Sequence, residues 1–398
     1  MQINLSNFRQ ELVVNSTDYL NKNGKLFLFK SESVLDGTGN IVTASQAEVG
    51  YALLPLVSFL TEINVYNLIN FLFLALISIT LLVVLYCSFN ISTNKISKLF
   101  SLIFFLLIIV ISYPLYLNEN ANYSIGYFFC MLTMYPIYLL SKKNIKLSKF
   151  IFIILLTSFL ASIYGLFRDY IYLNLIFMFG YILFFKIKSK KFLKIICFIF
   201  LISPIFITHS INQKVSEIMN INYNELVKSD QENITYKSHK GEILLGQSVW
   251  HSIYASLDYL KNDIVKGNAL YDDQHIRDLL KRDHYIDYHF YTSDDEIVKK
   301  ELFKILINYP TLIFKNLFAK LGVILGFTII FANFGLLLFL NLKINNEVKI
   351  FLLINLFIAS LFPLVAVPTK FYLGGVISSS LIILYFFILN LLNKLKLK

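Results

Sequence analysis

The stretch LINFLFLALISITLLVVLYCSFNISTNKISKLF, residues 68–100, decides the fold class. It contains an apolar run without charged residues, then a short loop with Lys95 and Lys98, and then the start of a second apolar run. A hydrocarbon core about 30 Å thick requires about 20 apolar residues in a helix, and runs of this length recur along the chain. Because 57% of the 398 residues are hydrophobic, the chain has more apolar surface than a soluble domain can bury. The sequence therefore predicts an all-α polytopic membrane protein.

Nine apolar runs are suited to membrane-spanning helices. They lie near residues 65–89, 99–117, 124–140, 150–167, 170–185, 192–209, 318–340, 350–366 and 375–392. Loop 141–149 contains four lysines and loop 186–194 contains five, whereas loop 118–123 contains none. By the positive-inside rule, the lysine-rich loops and the C-terminus are expected to be cytoplasmic. The bias toward Lys, Ile, Asn and Phe is typical of an AT-rich bacterial genome, so the expected location is the inner (plasma) membrane. Since membrane topology explains the net charge of +11, no nucleic-acid partner is expected.

This topology divides the chain into four regions. They are an outer N-terminal region with a short re-entrant or interfacial helix (1–64), a six-helix membrane region (65–209), an outer, periplasmic or extracellular region (210–315) and three C-terminal membrane helices (316–398). Of the 25 acidic residues, six lie in 1–64 and 16 in 210–315, so ionisable chemistry gathers on the outer face. No spanning run precedes residue 65, and we therefore expect an upstream helix to be missing from this reading of the gene.

The outer region 210–315 is predicted to form short helices that lie on the membrane surface. Within it, TSDDE (292–296) is typical of a helix start, with Ser293 as the N-cap. This amphipathic helix is expected to end at Tyr309-Pro310, just before the seventh span. The residues predicted on its apolar face are Leu302, Ile305, Leu306 and Leu312. The cysteines, which all fall in apolar runs and are predicted to be buried packing residues, are Cys87, Cys130 and Cys197.

A second stretch, SIYGLFRDYIYLNL at 162–175, contains the only two charged residues between Phe150 and Phe185. The predicted topology puts Arg168 and Asp169 at the outer tip of a tight hairpin. A charge inside the membrane costs about 2.5–3.5 kcal/mol at the helix centre and less at the edge, and such residues mark substrate pathways. Arginine offers a planar, permanently charged fork for a phosphate or a carboxylate. The alternative is a self-neutralising pair that only marks the tip.

The outer histidine and aspartates allow two interpretations. As ligands, His251 with Asp272 and Asp273 could hold a divalent cation near a phosphate group. Alternatively, His251 packs beside Trp250 and Tyr254, and the aspartates are solvated. No HExxH or comparable spacing is present, so packing is the preferred interpretation and the cofactor stays open.

The layout resembles the glycosyltransferase-C (GT-C) superfamily, whose enzymes are polytopic and use polyprenyl-phosphate sugars. The matching segments are QAEVGYALLP (46–55), LFRDY (166–170), WHSIYASLDYL (250–260), YDD (271–273) and YPTLIFKNLFAKLG (309–322). The resemblance implies a lipid-linked sugar donor, a cell-envelope glycan or lipid as acceptor, and contact with membrane lipids. It also implies a carboxylate of the first outer loop as base or metal ligand, and basic residues that bind the lipid phosphate.

Carried onto this sequence, the resemblance implies Glu11 or Asp18 as the base, Arg168 as a phosphate ligand and Asp169 as its orienting partner. In the family the key carboxylate follows the first helix directly, and this sequence lacks that helix, so Glu48 stays a third candidate. The remaining residues predicted to contact substrate are His251, Asp272 and Asp273.

Three functions are compatible with this pattern. The first is a membrane glycosyltransferase, because inverting transfer needs a carboxylate to deprotonate the acceptor hydroxyl and a cation to stabilise the departing phosphate. The second is an O-antigen polymerase or ligase, which usually works with outer-loop arginines, and this outer region holds only Arg277 and Arg282. The third is a transporter or flippase, which the nearly charge-free spans and the absence of repeated halves disfavour.

Overall fold

The protein is helical, without strands, over the part of the chain that its structure, a computed structural model, describes. The described residues are 5, 7–26, 49–117, 121–141, 147–167, 173–188, 190–229, 249–265, 276, 279, 292–333, 335–338, 345–369 and 372–394. The helices are α1 (Asn7–Asn23), α2 (Val49–Thr61), α3 (Val65–Ile91), α4 (Lys95–Ser112), α5 (Ala121–Met131), α6 (Met134–Leu140), α7 (Leu147–Phe167), α8 (Leu173–Tyr181), α9 (Lys191–Ser229), α10 (Val249–Ala255), α11 (Thr292–Asn308), α12 (Pro310–Ala332), α13 (Gly335–Leu338), α14 (Asn346–Val365) and α15 (Gly374–Lys394). Residues Tyr113–Leu117 and Ile182–Lys186 continue α4 and α8 as π-helix, and Ser256–Asp258 continues α10 as a 3-10 turn.

Among these described helices, seven are long and apolar enough to cross a membrane: α3, α4, α7, α9, α12, α14 and α15. This is the architecture of an all-α polytopic membrane protein, as the sequence predicts. The predicted runs 124–140 and 170–185 correspond to shorter apolar helices. The first is divided between α5 and α6 by a turn at Leu132 and Thr133, and the second begins at Leu173. The predicted count of nine spans therefore stays a prediction.

Helix α15 is the centre of the bundle. Its residues Val376, Ile377 and Ile382 are fully buried where α15 packs against α4, α5, α12 and α14. Gly375 permits the close approach, because a Cβ atom there would lie 3.1 Å from both Ala359 Cβ and Cys130 Sγ. The other spans turn large apolar side chains outward; Phe71, for example, is 72% exposed. The outer ring of the bundle is therefore built to contact lipid.

The loops predicted to share one side of the membrane meet at one end of the bundle. Thr93 Oγ1 donates a 2.8 Å hydrogen bond to Asn393 Oδ1, which joins the α3–α4 loop to the end of α15. Lys186 forms an ion pair with Glu347, the only carboxylate predicted on the inner side. We call this the lysine-rich end, and the other end, where α14 finishes at Val365, the opposite end. Which end faces the cytoplasm stays a prediction.

A proline in α9 ties that helix to α7. Pro204 has no N–H, so the Phe200 carbonyl loses its normal partner within the helix. Ser158 Oγ of α7 and Ser203 Oγ each donate a 2.8 Å hydrogen bond to this carbonyl oxygen. The freed carbonyl is satisfied within the apolar part of the helix, as a membrane requires.

Helix α9 continues far beyond its apolar part. It has 39 residues, which corresponds to about 58 Å at 1.5 Å per residue. The prediction of short surface helices is therefore wrong for residues 210–229. The physical reason is that falling hydropathy marks the edge of the membrane and not the end of a helix. Neither Gly nor Pro follows Pro204 before Ser229, and Lys214 pairs with Glu217 across one turn.

Some of the other predicted elements have the boundaries that the sequence predicts, and others are shifted along the chain. The apolar segment 48–60 forms α2 at Val49–Thr61, and the break at Tyr309-Pro310 separates α11 from α12, as predicted. Helix α11 begins at Thr292, one residue before the predicted N-cap. The sequence predicts the seventh span at 318–340, whereas α12 covers Pro310–Ala332 and is capped by Asn333, whose φ is 50°. The three cysteines are buried, as predicted.

Candidate functional site

One face of α12 carries buried polar groups inside an apolar helix. Its buried positions repeat every fourth residue and are Leu312, Asn316, Lys320, Ile324, Thr328 and Ala332. Side chains four residues apart lie above one another on a helix, so these residues form a single strip that faces the protein. The strip places an amide, an ammonium and a hydroxyl inside the bundle. Polar groups in that position mark functional sites in membrane proteins.

Lys320 is the cation of this strip and is only 2% exposed. Its Nζ lies 3.5 Å from the carbonyl oxygen of Val365, at the C-terminus of α14. The last carbonyls of a helix carry partial negative charge, which makes this position favourable for a cation. No carboxylate lies within ion-pairing distance of Lys320 in the described ranges. A buried lysine whose described polar contact is one carbonyl is a candidate ligand for an anion.

Asn316 lies one turn before Lys320 and fixes a turn of the outer region onto α12. Its Nδ2 donates to the Leu257 carbonyl at 3.0 Å, and its Oδ1 accepts from the Leu260 N–H at 3.1 Å. Asp258, between these two residues, has no exposed surface. The amide therefore holds a buried carboxylate at the opposite end of the bundle, where Lys320 reaches Val365.

His251 lies in α10, which leads into the same turn, and is 4% exposed. Around it, α10 and α11 share a small apolar core. The buried members of that core are Tyr254, Ala255, Leu257, Val265, Ile276, Leu279, Val298, Leu302, Ile305 and Leu312. Of the predicted apolar face, Leu302 and Ile305 of α11 and Leu312 of α12 are buried, whereas Leu306 of α11 is 37% exposed. His251 is thus enclosed in a packed unit, which is the arrangement that the packing interpretation describes.

The predicted bases Glu11 and Asp18 lie on α1 and are both exposed. Seven residues separate them, so they share one side of the helix, while the other side is buried against α2. Beyond α1, Lys25 Nζ forms a 2.8 Å ion pair with Glu225 Oε2, and Asn222 Nδ2 donates to the Leu26 carbonyl at 2.7 Å. The hydrogen bond to Glu225 raises the pKa of the Lys25 amino group. These contacts attach the N-terminal helix to the projecting part of α9.

Helix α2 contacts the last residue before the predicted arginine–aspartate pair. The Tyr51 and Phe167 rings meet edge to face with centroids 5.1 Å apart. Gly50 is required there, because a Cβ atom would lie 2.8 Å from Phe167 Cε1 and 3.0 Å from the Leu166 carbonyl oxygen. The sequence-predicted site residues that fall outside the described residues are Glu48, Arg168, Asp169, Asp272 and Asp273.

A second polar group lies deeper in the bundle. Asn174 Nδ2 donates to Asn355 Oδ1 at 2.7 Å, and Asn355 Nδ2 donates to Ser379 Oγ at 2.9 Å. All three side chains are buried, and they join α8, α14 and α15. Within the part of the chain that the structure describes, Asn174 Oδ1 has no hydrogen-bond partner. This group is uncharged and is therefore a weaker candidate for phosphate chemistry than Lys320.

Sequence reasoning treated lysines mainly as markers of loops and so missed Lys320. The signal that could have found it is the spacing of four and then eight residues between Asn316, Lys320 and Thr328 inside an apolar run. Asp258 carries no comparable signal, since its burial depends on the contact between its turn and α12. In the described residues, no group of three His, Cys, Asp or Glu side chains is arranged to hold a metal ion.

Comparisons with protein-family models, with curated proteins and with solved structures find no match to this chain. The resemblance to the GT-C superfamily therefore stays a prediction that rests on the layout and segments described above.

Proposed function

We propose that this chain is an integral membrane glycosyltransferase that moves a sugar from a polyprenyl-phosphate donor to an acceptor on the outer face of the membrane. The observation that carries the proposal is Lys320, a buried basic side chain at the opposite end of the bundle that has no carboxylate of the described residues within ion-pairing distance. A lipid-linked sugar has its phosphate at the membrane interface, with its tail in the bilayer. A cation on a membrane-spanning helix is suited to an anion of that kind.

In this proposal the Lys320 ammonium stabilises the phosphate as the glycosidic C–O bond breaks. A carboxylate deprotonates the acceptor hydroxyl, whose oxygen forms the new bond to the sugar. Glu11 and Asp18 are exposed candidates for that base, and Asp258 adds a buried candidate on the turn that Asn316 holds. Arg168 stays the second predicted phosphate ligand.

The test is binding of decaprenyl phosphate to the purified protein in nanodiscs, measured by native mass spectrometry. Lys320→Met should weaken binding by about 10- to 100-fold, since a hydrogen bond to a charged group contributes about 1.5–3 kcal/mol. Lys320→Arg should retain part of the binding. Lys315→Met is the matched control, because Lys315 is an exposed lysine on the same helix. Unchanged binding by folded Lys320→Met protein would refute the role of Lys320.

A second candidate, a transporter or flippase, is favoured by one observation. The Asn174–Asn355–Ser379 group places hydrogen-bonding side chains inside the bundle, where transporters place their binding sites. Movement of a fluorescent polyprenyl phosphate across proteoliposomes without a glycosidic product would support this candidate. An O-antigen polymerase or ligase would instead yield a polymer ladder or a glycan joined to a lipid acceptor.

A further inference from the structure

Part of the apolar surface of helix α11 is not covered by contacts with the described residues. Val298, Leu302 and Ile305 are buried against α10, but Phe303 is 45% exposed and Ile307 is 77% exposed. At 100° per residue, Phe303 lies about 100° and Ile307 about 140° around the helix from Leu302, on the side away from the buried residues. Helix α11 therefore carries a second apolar surface, formed by Phe303 and Ile307, that the described residues leave largely exposed.

Exposed lysines border that surface. Lys300 and Lys304 lie on the helix sector next to Ile307, at the edge away from the protein core. Lys304 also pairs with Glu301, which lies one turn before it, and the exposed Glu296 lies nearer the N-terminus. Apolar side chains beside lysines are the arrangement of an interfacial helix, in which the charged ends extend to lipid headgroups.

The only tryptophan of the chain lies at the same place. The Trp250 ring has its centroid 5.9 Å from the Phe303 ring, and Lys299 Nζ lies over it at 5.3 Å. Tryptophan is enriched where membrane meets water, because its ring is apolar and its N–H is polar. Trp250 therefore extends the exposed surface of α11 with a side chain suited to the interface.

The apolar surface is continuous with one that already faces lipid. Helix α12 begins at Pro310, directly after α11, and its Phe314 and Phe318 are 61% and 69% exposed. Only Tyr309 separates α11 from this membrane-spanning helix. The bilayer around α12 is thus the surface closest to the uncovered face of α11.

We propose that α11 and Trp250 form an interfacial anchor that binds anionic lipids. Phe303 and Ile307 enter the acyl-chain boundary, and Lys300 and Lys304 contact lipid phosphates. This inference does not rest on the proposed glycosyl transfer. The anchor would attach the packed unit of α10 and α11 to the membrane surface. The turn that contains Asp258 would then stay next to α12.

The experiment uses the single tryptophan as a depth reporter in proteoliposomes. Phosphatidylcholine or phosphatidylglycerol carrying bromine near the headgroup end of its acyl chains should quench Trp250 fluorescence, and the brominated phosphatidylglycerol should quench more at equal content. In Lys300→Gln/Lys304→Gln protein, the two lipids should quench equally. Lys315→Gln, which removes a lysine from α12, should keep the difference. Soluble inorganic phosphate at matched ionic strength should not reduce the difference in quenching between the two lipids. This result distinguishes binding of a lipid headgroup from binding of a free anion.

A second variant separates insertion from charge. Phe303→Gln/Ile307→Gln should reduce quenching by both brominated lipids and make Trp250 accessible to iodide in water. Strong iodide quenching of the unchanged protein, with none by brominated lipid, would overturn the proposal. Equal quenching by the two lipids in the unchanged protein would overturn the headgroup assignment. Cross-linking of Ile307→Cys protein into a disulfide dimer in membranes would show that a second copy covers this face instead.

Discussion

The proline of α9 allows a direct test of how a backbone carbonyl in this bundle finds hydrogen-bond partners. The Phe200 carbonyl accepts two serine hydroxyls, from Ser158 and Ser203, because Pro204 cannot donate to it. Ser158→Ala removes one donor, and the Ser158→Ala/Ser203→Ala double variant removes both. Adding Pro204→Ala restores an N–H four residues after Phe200, which can close the normal helical hydrogen bond.

The expected magnitudes follow from the contacts. One hydrogen bond between membrane helices contributes about 0.6 kcal/mol on average, so Ser158→Ala should lower the free energy of unfolding by about that amount. The double variant leaves the carbonyl without a partner in an apolar environment, which costs about 1–3 kcal/mol. With Pro204→Ala present, both serine substitutions should become nearly neutral.

The measurement is unfolding of the purified protein by sodium dodecyl sulfate in mixed micelles, followed by circular dichroism. Ser203→Ala alone is the internal control, since Ser158 remains to satisfy the carbonyl. The reasoning fails if the double variant is as stable as the parent. It also fails if Pro204→Ala does not suppress the serine effects, because the destabilisation would then arise from packing.

Two other outcomes are expected. Gly50→Ala should destabilise the protein by about 1–3 kcal/mol, because its Cβ would approach Phe167 to 2.8 Å. Gly326→Ala is the control and should not destabilise the protein, because no neighbouring atom lies within 4 Å of its Cβ. Equal thermal stability of the two variants would contradict this prediction. In right-side-out vesicles, a cysteine replacing Glu217 should react with an impermeant maleimide at once, and one replacing Lys95 only after the membrane is opened. The buried native cysteines keep the background low, and the reverse labelling pattern would invert the predicted topology.

The spans were predictable from sequence where apolarity and helix ends coincide. The run 65–89 became α3 at Val65–Ile91 because Asn64 caps its start and a lysine loop follows its end. The seventh span was misplaced because Lys315 and Lys320 lowered the hydropathy of the first half of α12. Hydropathy cannot distinguish a lysine that faces the protein from one that faces water. The outer half of α9 was missed for the related reason that solvent exposure does not end a helix.

The candidate site was less predictable than the fold. The sequence identified the outer carboxylates by their distribution, and the structure describes Glu11 and Asp18 as exposed residues of α1. The sequence could not reveal that Asp258 is buried, because this burial depends on the contact with Asn316, which lies far along the chain. Contacts between distant segments leave no periodic pattern, so a site assembled from them requires the fold.

Because α9 is long, a small bend at Pro204 would displace the far end of the helix by several ångströms. From Pro204 to Glu225, 21 residues of helix extend for about 32 Å. A proline is where a helix bends most readily, and a tilt of ten degrees there would displace Glu225 by about 5–6 Å. Through the ion pair with Lys25, the same displacement reaches α1 and the carboxylates that it carries. A bend at Pro204 would therefore be passed on to α1 and its predicted bases through this contact.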